Sequence, residues 1–325
     1  GPLTQEALAD IFAHTPAMQE FTGKYHVQAS PARQQIVESL IHAWITGGIP
    51  GDGPRVGIVE CGESKYSWEF EMLLAELVRH GVPAVIASTD ELCYEPAHGG
   101  LYTRDNHGRR QPITIVYRRA VLSDMLSRYG PTLTDHPLIR AWSAGACVMI
   151  NSFTSHLGFK KSTFALLTDP YTSVALSPRE AMAAREHLPW TRLLRSGSTT
   201  YHEEEIDLLT FAYTNRKNFV LKPNVGYSGW GILCGWQTTD ECWQRALARA
   251  IRDSYVIQER VTVPHALYPA LVNGTVEIRP YRESTDPFLF APTCYGHICR
   301  LSQNEIINVG SGGTLIPVFQ IAPRT

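Results

Sequence analysis

The chain has 325 residues, a mass of 36.2 kDa and a net charge of -2 from 29 Lys+Arg and 31 Asp+Glu. With 44% hydrophobic and 18% charged residues it is too apolar for intrinsic disorder, and its length predicts two lobes rather than one core. The near-neutral charge, with no run of four Lys/Arg, excludes a sequence-independent grip on nucleic acid.

Gly1-Pro2 without a Met reads as a protease-cleavage scar and is set aside. No stretch approaches the roughly 18 apolar residues of a membrane span, and the N-terminus lacks a signal-peptide pattern. A soluble, cytoplasmic protein without a membrane partner is therefore expected. Seven scattered cysteines without a CxxC pair predict neither a disulfide framework nor a structural zinc site.

The first predicted helix covers residues 30–47, with Ser30 as N-cap, Pro31 in the first turn, and Ile36, Leu40, Ile41 and Trp44 at helical spacing. A Gly/Pro-rich break at 47–54 leads into a strand, Arg55–Glu60, then an amphipathic helix, Glu69–His80, and a second strand, Ala84–Ala87. That order predicts a parallel βαβ unit. A hairpin is expected around 99–108, a buried strand at Ile113–Tyr117, a helix over 137–145 and a strand at Cys147–Asn151. The first 151 residues thus read as an open α/β sheet, and ligands of such sheets gather at the carboxyl ends of the strands. Glu60, Glu63, Ser64, Arg118, Arg119 and Ser152 are placed there as substrate-site candidates. Adjacent strand residues face opposite ways, so one of the two arginines is expected to point into the site.

Residues 152–325 form the second predicted domain. A helical stretch spans 160–217, including a helix Glu203–Lys217, and strands return at Phe219–Leu221, Gly231–Leu233, Tyr255–Ile257 and Thr275–Ile278. Between the first two of these strands, Lys222 precedes Pro223 and a loop with Gly226, Tyr227, Ser228, Gly229 and Gly231. Glycines at that spacing let backbone N–H groups approach an anion closely. The pattern is neither GxxxxGK[ST] nor a glycine turn opening a helix, so both the P-loop and the dinucleotide fingerprint are excluded.

The order of motifs resembles the ATP-grasp superfamily, and in particular its circularly permuted and glutathionylspermidine synthase-like members. A lysine precedes a glycine-rich loop, then come Gln258-Glu-Arg-Val261, Glu277-Ile-Arg279 and Asn308-Val-Gly-Ser-Gly-Gly-Thr314. Ile115–Arg119, Ala141–Gly145 and Lys160–Asp169 are similar to that group's pre-ATP-grasp domain and its passage into the nucleotide fold. The implied fold is α/β, a pre-ATP-grasp open sheet followed by an α+β ATP-grasp domain.

The resemblance implies ATP and Mg²⁺ as cofactors, with Lys161 and Lys222 on the phosphates beneath the Gly226–Gly231 loop. Gln258, Glu259 and Val261 would form the adenine-binding hinge, and Glu277 and Asn308 would hold Mg²⁺ through oxygen. Arg279 would stabilise the transferring phosphoryl group, with Ser311 and Gly312 near the substrate. The implied activity is an ADP-forming ligase that joins a small-molecule carboxylate to an amine through an acyl phosphate. The same site on a hydroxyl substrate would make a small-molecule kinase, and without turnover a nucleotide-binding module. Oligomeric state, a dimer included, stays open.

Three departures from the group's pattern stand out. Lys160 replaces an Asp, Ser311-Gly312-Gly313-Thr314 replaces a glycine triplet, and the usual Glu-x-Asn is Ile306-x-Asn308. Ile306 has no metal-binding oxygen, and Glu305, placed on the opposite face of a strand, does not replace it. Each site also has a plainer reading: Lys222 as a solvated strand-end charge, Glu277 paired with Arg279, and Asn308 as a turn residue before Gly310.

Overall fold

A computed structural model of the chain describes residues 1–28, 30–49, 51–62, 67–98, 100–290 and 293–322. It is a mixed α/β protein whose chain divides into two compact units. The first comprises Gly1–Thr154, Ser284–Arg300 and Leu315–Thr325; the second comprises Ser155–Glu283 and Leu301–Thr314.

The first unit is built on four parallel strands in the order Ala84–Ser88, Val56–Glu60, Ile115–Arg118, Val148–Ile150. Ile58, Val59, Ile115 and Val116 are fully buried. Their apolar runs follow from helices covering both faces, which is what a parallel sheet requires. One face packs Val56, Ile58 and Ile115 against Phe70, Leu73 and Leu77 of helix Trp68–Arg79 and Ile36 and Leu40 of helix Ala32–Gly47. The other packs Val59 and Val116 against Leu101, Met125 and Leu138. Gly57 is required by this packing, since a Cβ there would lie 2.8 Å from Ile113 Cδ1. The helix predicted from Ser30 is capped instead by Pro31, because the buried Ser30 hydroxyl donates to the Tyr295 carbonyl.

The second unit carries an antiparallel sheet in the order Leu233–Cys234, Phe219–Pro223, Tyr255–Glu259, Thr191–Leu193. Phe219, Leu221 and Ile257 pack on Trp243 and Leu247 of helix Asp240–Arg252 and on Leu208 and Ala212 of helix Leu208–Thr214. Here the sequence expectations need correction. The helix expected over Glu203–Lys217 is confined to Leu208–Thr214, and Glu204–Asp207 is a strand paired with Ser198–Tyr201. His202 and Glu203 take positive φ values of 44° and 74°, turning the chain without a glycine. Asp207 then caps the helix by accepting from Thr210 N at 2.9 Å. The strand expected at Gly231–Leu233 is Leu233–Cys234, because Gly231 stays in the loop at φ 75°. The strand begun at Thr275 runs on to Phe290 and pairs with His265–Val272 across an Asn273-Gly274 turn. That dipeptide is a strong hairpin signal, which the strand assignment above left unused.

Among the described residues no helix is long and apolar enough to cross a membrane, and all seven cysteines are free thiols.

Candidate active site

Strand Phe219–Pro223 alternates faces, so Phe219 and Leu221 enter the core while Val220 and Lys222 point the other way. Gln258, opposite Val220 in the antiparallel register, lies diagonally across from Lys222 on that face. Lys222 Nζ donates to Gln258 Oε1 at 2.6 Å, and Gln258 Nε2 donates to Thr191 Oγ1 at 2.8 Å. Burial lowers the Lys222 pKa below its ordinary value, and the nearby Lys161 ammonium lowers it further.

Lys161 arrives from the N-terminal end of helix Ser162–Thr168. Its backbone N donates to Asn224 O at 3.0 Å, the Asn224 Oδ1 accepts from Ser162 N at 2.9 Å, and Lys161 Nζ donates to Gly226 O at 3.0 Å. Burial lowers its pKa as well. Both ammonium groups therefore stand with reduced hydration, and the Lys161 charge acts on Lys222. Among the described residues neither has a carboxylate within ion-pairing distance.

The glycine loop starts at Gly226, whose carbonyl accepts from Lys161. Gly229 (φ 77°) has no room for a side chain: a Cβ would sit 2.5 Å from Ile306 Cγ2. At Gly231 a Cβ would meet Pro223 Cγ at 2.7 Å. Ser311 Oγ donates to Ser228 O at 3.0 Å, so the loop rests on the 306–311 turn, and Gly312 ends that turn at φ 89°. Tyr227 and Trp230 are exposed.

The expected hinge is tightly engaged. The Gln258 side chain is buried and holds Lys222 and Thr191, so it does not face outward to read a base. Glu259 accepts from Tyr201 OH at 2.7 Å, and His202 Nε2 lies 3.3 Å from the same oxygen. The backbone N–H groups of Glu259 and Arg260 donate to Trp190 O and Asn218 O. Val261 is exposed. Thr191, Tyr201 and His202 are absent from the sequence-derived set because the hairpin that delivers two of them turns without a glycine.

The Mg²⁺ ligands implied by the resemblance are not drawn together. Glu277 lies exposed on the hairpin, where Oε2 takes Arg279 Nε at 2.9 Å and a second guanidinium nitrogen at 2.8 Å. Asn308 Oδ1 accepts from Gly310 N at 2.9 Å, as a cap. Among the described residues no three His, Cys, Asp or Glu side chains form a metal-holding group. Glu277 and Asn308 as found do not fit the ion, and the plainer readings of Glu277, Arg279 and Asn308 describe their contacts.

Glu305, expected on the far face of a strand, does not lie on a strand. The strand ends at Ser302, and Gln303–Ile306 is a bend, so alternation of faces does not apply. Glu305 Oε1 accepts from Arg282 at 2.6 Å, with both side chains largely buried (19% and 16% exposed).

In the first unit the sheet's carboxyl edge gathers Glu60, Arg118 and Arg119. Arg118 is a strut: it donates to Asn151 O at 2.6 Å, to Ser152 O at 3.3 Å and to the Ala120 carbonyl, with its guanidinium over Phe153. Arg119 donates to Tyr117 OH at 3.3 Å and lies 3.8 Å from Glu69. Burial raises the Glu60 pKa. The Ser152 hydroxyl bonds Thr154 at 2.7 Å. Glu63 and Ser64 lie outside the described residues.

No family model and no curated protein matches the sequence. Among solved structures the chain is similar to a glutathione synthetase-like effector, GSS30, from Globodera pallida in its apo form, at 12% identity with a TM-score of 0.55. The match covers 89% of this chain and 61% of that one, so this chain spans under two thirds of its neighbour. The chain shares the fold of that glutathione synthetase-like effector. Lower similarity links it to the ATP-grasp ligase PsnB (14% identity, TM-score 0.38, 72% of this chain and 74% of that one). Another is a RimK domain ATP-grasp protein from Sphaerobacter thermophilus (13%, 0.36, 82% and 90%). The two lysines and the glycine loop belong to one compact unit.

Proposed function

We propose that the chain is an ATP-dependent carboxylate–amine ligase. One observation carries the nucleotide part: Lys161 and Lys222, both partly dehydrated, flank a glycine loop that Lys161 bonds at Gly226 O and that has room only for glycine at two positions. Bringing two like charges together costs free energy, and a polyphosphate offsets it.

In the proposed reaction the carboxylate oxygen attacks the γ-phosphorus of ATP, ADP leaves, and an amine displaces phosphate from the acyl phosphate to give an amide. The protein supplies no covalent nucleophile. Lys161 and Lys222 hold and neutralise the phosphates, and the loop around Gly226–Gly231 excludes water. The unit of Ser155–Glu283 and Leu301–Thr314 would carry this nucleotide machinery, and the other unit would shape the acceptor site, with Glu60 and Arg119 at the strand ends.

The test is release of ADP from ATP across a panel of carboxylates and amines. Amine-dependent release that disappears in Lys222→Ala, with the melting temperature preserved, is the expected result. Undiminished release in that variant sinks the assignment, and a phosphorylated product formed without amine redirects it to a kinase. A nucleotide-binding module is the second reading, favoured by the pairing of Glu277 with Arg279; it predicts ATP binding with no turnover on any pair.

A further inference from the structure

We infer that two copies of this chain associate about a two-fold axis through the bare apolar face of the hairpin between His265 and Arg282. That face carries none of the residues assigned to the nucleotide above.

The antiparallel register puts Leu267, Pro269 and Leu271 opposite Pro280, Ile278 and Val276 on one face of the hairpin. The other face covers itself. There the Tyr268 and Tyr281 rings meet edge to face at 6.4 Å, Arg279 bridges Glu277, and Ala266, Ala270 and Val272 are half-buried. On the apolar face Leu267, Leu271, Val276 and Ile278 are 71%, 75%, 67% and 63% exposed, and both prolines are exposed as well. A two-stranded hairpin is marginally stable alone in water, so a second layer on this face would stabilise it.

Charge, edge chemistry and area all fit the same face of a second copy. Between the Asn273-Gly274 turn and the rung of His265 and Arg282 the face carries no charged or hydrogen-bonding side chain, and Arg282 is already neutralised by Glu305. Two copies therefore meet without burying an unpaired charge, and a net charge of only -2 leaves little repulsion between them. A charged peptide or a lipid headgroup would find no polar group there to bind. Pro269 lies in the outermost strand of its sheet and lacks the N–H that an added strand would use, so an extended peptide cannot continue the ladder at this edge. Stacking face on face, about 10 Å apart, remains open. At roughly 100 Å² of apolar surface for each Val, Leu or Ile side chain, the four expose about 280 Å² per copy and about 550 Å² in a pair. With Pro269 and Pro280 added, the total approaches the roughly 700 Å² of apolar surface in a stable interface of about 1,200 Å².

Sedimentation velocity of the 325-residue chain over about 1 to 200 µM reads the association. Wild type should pass from monomer to dimer with a micromolar Kd, as suits an interface at the small end of the stable range. Ile278→Lys sets an ammonium in the middle of the face in both copies and should raise Kd on the order of 100-fold. Thr275→Lys, the same charge on the opposite face of the same strand, should leave Kd within about twofold. Ile278 is exposed, so the fold should survive its substitution; if the melting temperature shows otherwise, Leu271→Lys beside the turn takes its place with the same expectation. A wild type monomeric throughout, an Ile278→Lys variant that dimerises like wild type, or equal losses in both lysine variants overturns the inference. So does a monomer that instead sediments with phosphatidylcholine vesicles, which would make the face a membrane contact.

Discussion

Lys222 and Glu277 both sit on antiparallel strands of the second unit, and their surroundings are opposites. Lys222 is largely dehydrated, feels the charge of another lysine and is steadied by a neutral amide. Glu277 is exposed and fully countered by the arginine two residues along its own strand. A charge that burial and a like neighbour hold away from its comfortable state marks a place where a ligand changes the energetics. A solvated ion pair marks a surface, and such pairs contribute little.

The largest effect should therefore separate these two residues. Removing the Lys222 ammonium is expected to weaken ATP binding by roughly 10- to 100-fold, the 1.5–3 kcal/mol of a charged hydrogen bond. Glu277→Gln should change it less than about twofold. Calorimetric titration of both variants checks this, and equal losses would dissolve the contrast.

A smaller effect concerns the loop. Gly229→Ala places a Cβ against Ile306 at a positive φ, so the loop must lift from the 306–311 turn. We expect about 1–3 kcal/mol of strain and a severalfold weaker nucleotide affinity, whereas Gly158→Ala, with open space at its Cβ, should leave affinity unchanged.

The smallest effect is on pH dependence, and its sign is fixed by the lysines. Both have folded-state pKa values below the ordinary 10.5. The unfolded chain thus binds more protons in the window between the lowered values and 10.5, and the stability of the free protein gains from these groups as pH rises through it. Phosphate needs the ammonium form, so nucleotide affinity should fall over the same window, beginning below pH 10.5. Affinity measured across alkaline pH in wild type and Lys161→Ala tests this; a profile flat to pH 10.5 contradicts the burial of the lysines.

Much of this site was readable locally. Lys222, Pro223 and the glycines lie within ten residues, and strand alternation alone puts Lys222 opposite the core face. The parallel sheet followed from apolar runs separated by one amphipathic helix, and its carboxyl edge followed from strand direction. What local patterns missed has a common cause. His202 and Glu203 turn without glycine, so Ser198–Asp207 read as helix when it is a hairpin carrying Tyr201 to Glu259. Glu305 was assigned a strand face because Leu301-Ser302-Gln303-Asn304-Glu305 contains no proline or glycine to announce the bend.

By itself, then, the sequence determined an α/β chain with a strand-end lysine ahead of a glycine-rich loop, because those features depend on neighbours in the chain: alternation, glycine torsion angles and helix periodicity. Only the tertiary structure decided which charges meet. Lys161 lies 61 residues before Lys222, Gln258 lies 36 after it, and Arg282 and Glu305 are 23 apart. Whether a charge ends up dehydrated beside its like or solvated beside its opposite depends on burial and distance, which no spacing in the sequence encodes.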